Sequence, residues 1–294
     1  MHQQHVQLSI CVKGIILAGG TGSRLFPLTQ AINKQLLPVY DVPLIYFPVS
    51  TLMHAGIKDM CIISSPEYVP AYRRLFGDGS KLGLNISYRE QARPDGIASS
   101  FIIADDFIGD DDVALILGDN IFHGNIDSSF EGGAKVFAYE VKNPQDYGVV
   151  KFDDAGKATM LIEKPREFIS KYAVPGLYFY DAMVVDVAKA LKPSLRGELE
   201  ITDVNKHYLA HEHLFVSKLD RGFVWLDAGV PSTLHEAASY VETIQSRQGV
   251  KIACIEEIAH KQGCIDDAQF EALIASLPTS EYKNYLIDVF AKGS

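Results

Sequence analysis

Five short apolar runs bounded by turn residues punctuate the first half of the chain: "GIILAGG", "DMCIISS", "LNISYRE", "VALILGDN" and "KVFAYEV". Runs of this kind fit the buried strands of a mostly parallel sheet. Between the first two lies "PLIYFPVSTLMHAGI", where Leu44, Phe47, Leu52 and Met53 recur at roughly helical spacing and Gly56 supplies a C-terminal stop. Strand, helix and strand in succession predict right-handed βαβ units and a doubly wound α/β sheet. Ligands of such sheets gather at the carboxyl ends of the strands. That rule sorts the residues considered below, because several unusual ones fall there.

From about residue 149 the pattern changes. "GVVKFDDAGKATMLIEKP" alternates and turns at Asp154–Gly156 like a hairpin. "ITDVNKHYLAHEHL" reads as a helix opened by Thr202 and Asp203, both good N-cap types. "STLHEAASYVETIQSRQG" reads as another, with Ser232 or Thr233 as cap and Gly249 as stop. There is no linker, repeat or low-complexity stretch. We therefore expect an N-terminal extension over 1–12 and one domain over 13–294, of which about 230–294 is a helical C-terminal portion.

The chain is 47% hydrophobic, enough to bury a sizeable core. Its net charge of -10 argues against a nucleic-acid-binding surface. An acidic protein holds small anions only through a local cationic pocket, which narrows the search to a few basic residues. Cys11, Cys61, Cys254 and Cys264 show no metal spacing and read as reduced thiols. The opening "MHQQHVQLSICV" lacks the features of a signal peptide, and no apolar run approaches the roughly 20 residues that span a bilayer. The expectation is a soluble cytoplasmic protein.

In "LAGGTGSRL", Gly19, Gly20 and Gly22 follow a strand and let backbone N–H groups turn toward an anion. The loop is neither a dinucleotide fingerprint, since Leu25 stands where the third glycine is needed, nor a Walker A loop, since Gly22, Ser23 and Arg24 replace its Gly-Lys-Ser/Thr. Glycines alone also fit a plain tight turn. Arg24 and Lys34 tilt the reading toward phosphate, one as a bidentate fork and the other as a point charge. Asp119, in "VALILGDN", ends a buried strand and calls for a positive partner, for which Mg²⁺ is a natural candidate and helix capping the alternative. Asp227 repeats the pattern in "FVWLDAG", although spacing cannot show whether the two meet. In "LIEKP", Glu163 and Lys164 taken alone read as a solvated pair. "RGELEITDVN", with Glu198, Glu200 and Asp203, reads alone as a polar loop before a helix. Nothing suggests a covalent nucleophile.

Together these stretches resemble the signature of the sugar-1-phosphate nucleotidylyltransferases. "LAGGTGSRLFPLT" and "NKQLLPVYDVPLIYFPVSTLMHAGI" carry the resemblance first. "GDGSKLGLNISY", "PDGIASSF", "LGDNIFHG", "DYGVVKFD", "EKP", "YAVPGLYFYD", "RGELEITDVN" and "WLDAG" continue it in order. It covers nearly all of residues 13–294 and is most similar to the members that transfer a thymidylyl group to glucose 1-phosphate.

The resemblance implies a Rossmann-like, doubly wound mixed sheet of nucleotidyltransferase type with a helical C-terminal region. It implies dTTP and glucose 1-phosphate as substrates, Mg²⁺ as cofactor, a homotetramer, no nucleic-acid or membrane partner, and a product that feeds deoxysugar synthesis such as that of rhamnose. By the same resemblance Gly19, Gly20, Gly22, Ser23 and Arg24 wrap the nucleotide phosphates, and Arg24 and Lys34 neutralise the leaving pyrophosphate. Gln91 and Gly96 read the base. Asp119 and Asp227 hold the metal, with Asn120 beside the first. Gly148, Glu163 and Val174 hold the sugar and Lys164 its phosphate. The chain departs from the pattern in a shortened "HGNIDSSFEGGAKVF", in Arg93 beside the base-reading pair, in Leu82 for tryptophan and in Ala228 for threonine. Alternatives are a uridylyl-transferring member, because uracil and thymine differ by one methyl, a nucleotide-sugar sensor that does not turn over, and an NAD-dependent oxidoreductase, against which the missing glycine speaks.

Overall fold

The computed structural model describes residues 12–293. Cys11 and the remainder of the expected extension lie outside the described residues. The first half winds β1 (Val12–Leu17), the small hairpin β2 (Pro38–Val39) and β3 (Val42–Pro43), α1 (Tyr46–His54), β4 (Asp59–Ser64), α2 (Val69–Phe76), β5 (Asn85–Glu90), α3 (Ser99–Ile103), α4 (Asp105–Ile108) and β6 (Asp112–Leu117). Next come β7 (Asn120–His123), β8 (Ala134–Glu140), the hairpin β9 (Gly148–Phe152) and β10 (Ala158–Glu163), β11 (Tyr172–Ala173), β12 (Leu177–Tyr180), α5 (Val184–Ala190), α6 (Ile201–Ala210), β13 (Leu214–Lys218) and β14 (Val224–Asp227). Four helices close the described chain: α7 (Pro231–Gln248), α8 (Ile255–Lys261), α9 (Asp267–Ser276) and α10 (Glu281–Gly293).

Ten strands form one sheet in the order β10-β9-β11-β8-β12-β6-β1-β4-β5, with β13 joined to β8. The sheet is mixed. β5, β4, β1 and β6 are parallel, whereas β12 runs antiparallel between β6 and β8 and the β9–β10–β11 end is antiparallel throughout. The expectation of a mostly parallel sheet thus holds only for the first half. Consecutive residues of β1 show why that half reads as continuous apolar runs: Ile15 packs on the side of α3, α5 and α6, Ile16 on the side of α1 and α2, and both are fully buried. A strand covered on both faces has no polar side to alternate with.

Two helix starts differ from expectation. Glu200, not Thr202 or Asp203, stands at the N-cap of α6. Val230 stands before α7, whose Thr233 bonds back to the Val230 backbone at 3.2–3.3 Å from within the first turn. Gly249 ends α7 in the left-handed conformation, as expected. α8 packs against α1. No helix among the described residues is long and apolar enough to cross a membrane.

Candidate active site

Sheet register alone brings the first two motifs together. β1 and β6 are parallel neighbours with Leu17 opposite Leu117, so their carboxyl ends emerge side by side. The Gly118 N–H donates to the Leu17 carbonyl at 2.9 Å and sets Asp119 beside the glycine loop. A second ladder supplies what spacing could not. β14 pairs antiparallel with β7, Asp227 opposite Asn120, and the Ala228 N–H donates to the Asp119 carbonyl at 3.1 Å. Asp119 and Asp227 are thereby held at one place although 108 positions separate them, from 119 to 227.

They face a cavity of about 350 Å³. Gly19, Gly20, Arg24, Gln91, Gly96, Asp119, Asn120, Gly148, Glu163, Lys164, Val174 and Asp227 all line it. Lys34 reaches it through its carboxylate partner, because its ammonium donates to Asp119 Oδ2. Gly22 and Ser23 are not on the wall; they make the turn that carries Arg24, and the Gly22 carbonyl accepts from the Thr29 hydroxyl at 2.9 Å.

Each charged group is fixed by its surroundings. Lys34 begins a 3-10 turn capped by Asn33, whose side chain accepts from the Gln35 N–H at 3.0 Å and from the Tyr72 hydroxyl at 2.6 Å. Asp119 Oδ1 accepts from the Asn120 amide at 2.8 Å, and Asn120 Oδ1 in turn accepts from Trp225 Nε1 at 2.6 Å and Gly176 N at 3.0 Å. Burial pushes the Asp119 carboxyl up, but the charge and hydrogen bond of Lys34 outweigh it and leave it below the usual carboxylate range. Asp227 goes the other way. Burial first, then the Asp119 charge, raise it to about 6 against the pull of Lys34, Arg24 and Lys164, and its Oδ1 is enclosed without a hydrogen-bond partner.

Arg24 and Asp227 both approach Gly229: a Cβ there would lie 3.0 Å from Asp227 Oδ1 and 3.2 Å from the Arg24 guanidinium, tight contacts from which both groups would have to ease away. Gly19 does similar service for the base-reading candidate, since its Cβ would stand 2.5 Å from Gln91 Oε1. Gln91 is anchored by donating to the Ser99 hydroxyl at 2.8 Å.

At the other end, β9 and β10 place Gly148 opposite Glu163, and the Val174 N–H donates to the Gly148 carbonyl at 2.8 Å. Thr202, expected to cap α6, instead donates its hydroxyl to Glu163 Oε2 at 2.6 Å. Lys164 has a left-handed backbone (φ 43°), unusual for a residue with a side chain, and lines the same wall. Glu163 is therefore no solvated partner of Lys164, since it takes the Thr202 hydroxyl, while Lys164 stays exposed at the cavity wall; Glu198, in the stretch read alone as a polar loop, also lines the cavity.

Gln35, Tyr147, Gly176, Tyr178, Asn205 and Trp225 line the cavity as well and escaped the sequence reading. Gln35 was signalled only by its place next to Lys34; its Oε1 is enclosed without a partner. Trp225, the chain's single tryptophan, stands two residues before Asp227. Of the departures, Arg93 is exposed and 3.8 Å from Asp95, Ala228 is fully buried, and Leu82 joins the core on the α1–α2 side. The shortened stretch 124–133 contains no helix.

Comparisons with known proteins show the family. The model of the nucleotidyl transferase family matches residues 13–244. The chain is 50% identical over 288 residues to a glucose-1-phosphate thymidylyltransferase of Neisseria meningitidis, covering 96% of this chain and 100% of that protein. It is 52% identical over 284 residues to one of Mycolicibacterium smegmatis, covering 95% and 99%. Among solved structures it is similar to a Bacillus anthracis protein described as a glucose-1-phosphate thymidylyltransferase in complex with sucrose, at TM-score 0.73 and 41% identity over 78% of this chain and 94% of that one. A UDP-glucose pyrophosphorylase bound to UDP-glucose is similar in fold alone, at TM-score 0.70 and 22% identity over 79% and 98%.

Proposed function

The chain belongs to the nucleotidyl transferase family, and from that premise we propose that it transfers a thymidylyl group from dTTP to glucose 1-phosphate, releasing pyrophosphate and forming dTDP-glucose. One observation supports the reading beyond the names of its relatives: Arg24 and Lys164 line one cavity, Lys34 is tied to it through Asp119, and all three cations act on Asp227, so an acidic chain gathers positive charge around two carboxylates. A phosphate oxygen of the sugar attacks the α-phosphorus of the nucleotide, the bond from that phosphorus to the β-bridging oxygen breaks, and pyrophosphate leaves in line. Such a transfer asks the protein for positioning and charge neutralisation rather than for a nucleophile.

Arg24 and Lys34 take the charge of the triphosphate and of the departing pyrophosphate. Lys164 holds the sugar phosphate against them. Gln91 and Gly96 face the base, and Gly148, Glu163 and Val174 the sugar. Mg²⁺ suits Asp119 and Asp227: it favours one or two hard carboxylates together with phosphate oxygens, and the enclosed, unpartnered Oδ1 of Asp227 is a donor with nothing to bind in the protein. When bound, the metal supplies neutralisation of developing phosphate charge. The resemblance also carries a homotetramer in the cytoplasm, and sedimentation equilibrium at a mass near four chains of 32.4 kDa checks the assembly.

Pyrophosphate release with glucose 1-phosphate, Mg²⁺ and each of dTTP, UTP, CTP, ATP and GTP tests the reaction. Release that is fastest with dTTP and abolished by EDTA is expected. Fast release with UTP alone would keep the mechanism and change the base. A folded sample that binds dTTP but releases nothing would make the protein a sensor.

A further inference from the structure

Asn205 is an odd residue to find where it stands. It is 1% exposed, sits one turn beyond Thr202 on the same face of α6, and lines the cavity beside Tyr178. Its Oδ1 accepts a hydrogen bond from the Tyr180 hydroxyl at 2.5 Å, and the protein offers it no other side-chain bond. The amide nitrogen therefore has no partner among the described residues. It is not sealed away either, because the only enclosed, unpartnered side-chain atoms among them are Gln35 Oε1 and Asp227 Oδ1. An amide nitrogen that opens to the cavity and is unpaired in the protein is free to donate to water or to a ligand.

Tyr180 is built to hold that amide still. The phenol is fully buried, with its ring edge-on to Phe101 at 5.3 Å, stacked over Tyr178 at 6.2 Å and tilted against Tyr208 at 5.6 Å. Three rings pack around it, and the core thereby sets the position of the hydroxyl. Burial lifts its pKa well above the ordinary phenol value, so it stays a neutral donor. With Oδ1 taken by this donor, the two N–H groups of Asn205 face the cavity.

We propose that Asn205 binds a hydroxyl of the sugar through its side-chain amide, and that Tyr180, which does not touch the ligand, is the positioning residue that aims it. The ligand class is a hexose 1-phosphate, and in this the inference rests on the function proposed above. Asn205 stands one turn from Thr202, whose hydroxyl is on Glu163, the residue given to the sugar in the function proposed above.

The test is a set of substrate deletions crossed with residue deletions. Pyrophosphate release is measured with glucose 1-phosphate and its 2-, 3-, 4- and 6-deoxy analogues. The wild type is expected to lose about tenfold in kcat/KM on the analogue that lacks the hydroxyl held by Asn205, the worth of a neutral hydrogen bond. Asn205→Ala should lose about as much on glucose 1-phosphate itself and show no further penalty on that one analogue. Tyr180→Phe should raise the KM of the sugar phosphate about threefold and leave the KM of dTTP unchanged, a split that general loosening of the core would not give. Should Asn205→Ala fold poorly, the pair Asn205→Leu with Tyr180→Phe replaces both partners by apolar shapes and keeps the core filled. An unchanged set of four analogue penalties in the Asn205 variants overturns the inference while the reaction stands. Wild-type protein that turns over no nucleotide sinks the reaction, and this inference with it.

Discussion

The two ends of the cavity are built on different principles. At the end proposed for the nucleotide the chain presents an exposed turn: Gly20, Ser23 and Arg24 are all open to solvent, and its cations act through charge, Lys34 on Asp119 and Arg24 beside Asp227, with Gln91 held by a neutral bond to Ser99. At the sugar end the groups sit on packed strands and a helix, and what holds them is directed hydrogen bonding, Thr202 on Glu163 and Tyr180 on Asn205. Charge acts over distance and tolerates imprecise aim, whereas a hydroxyl is recognised only by a partner at the right angle. On the function proposed above, a triphosphate that must shed pyrophosphate would be met by cations and the sugar ring by a preorganised wall. Substitutions at the first end should therefore move kcat, and those at the second should move the KM of one substrate.

The largest effects belong to the carboxylates between the ends. Asp119→Asn and Asp227→Asn should each abolish Mg²⁺-dependent turnover with circular dichroism unchanged; full activity in both would remove them as metal ligands. Next comes Arg24→Ala, with a fall in kcat of about 10²–10³ as expected for one preorganised donor to developing charge. A change of less than about threefold would reduce Arg24 to a surface cation and erase the contrast. Thr202→Val, nearly isosteric, leaves Glu163 without its donor. It should raise the KM of glucose 1-phosphate about tenfold, the scale of a hydrogen bond to a charged group, without touching that of dTTP. Equal effects on both substrates would mean that the sugar wall also shapes the nucleotide end.

The same contrast governs what could be read from the sequence. The nucleotide end was legible because its signals are local: a strand, then glycines, then Arg24 and Lys34, and a second strand that ends in Asp119. The fold class followed from the same runs. Asp227 was visible as a residue, but its convergence on Asp119 depends on the β7–β14 ladder, a pairing of distant segments that no local pattern encodes. The sugar end was the least legible from residues alone. Thr202 has the chemistry of a helix cap, and its actual partner, Glu163, lies on β10, far off in the sequence. Asn205 and Tyr180 looked like ordinary members of a helix and a strand; only tertiary packing turns one amide toward the cavity. The antiparallel half of the sheet escaped for a similar reason, since apolar runs report burial but not strand direction.

The smallest effect is on stability, and it tests the cost of placing a carboxylate at the junction of the two ends. The Asp227 carboxyl is raised to about 6 in the folded protein against 3.8 ordinarily. The folded chain therefore binds the extra proton between those values. Its stability falls as pH rises through that window, and the penalty is complete above about pH 6. Asp227→Asn, which carries no charge at any pH, should then be more stable than the wild type at pH 7 in EDTA and without nucleotide. The difference is about 1–2 kcal/mol, since the side chain is only partly shielded and solvent screens it. It should shrink as the pH is lowered and be small by pH 4, where the folded carboxyl is neutral and only the unfolded one is still partly ionised. Thermal melts of the two proteins at pH 4, 5, 6 and 7 read this directly, and a stability gap that is flat across the series would mean that Asp227 is charged at no unusual cost.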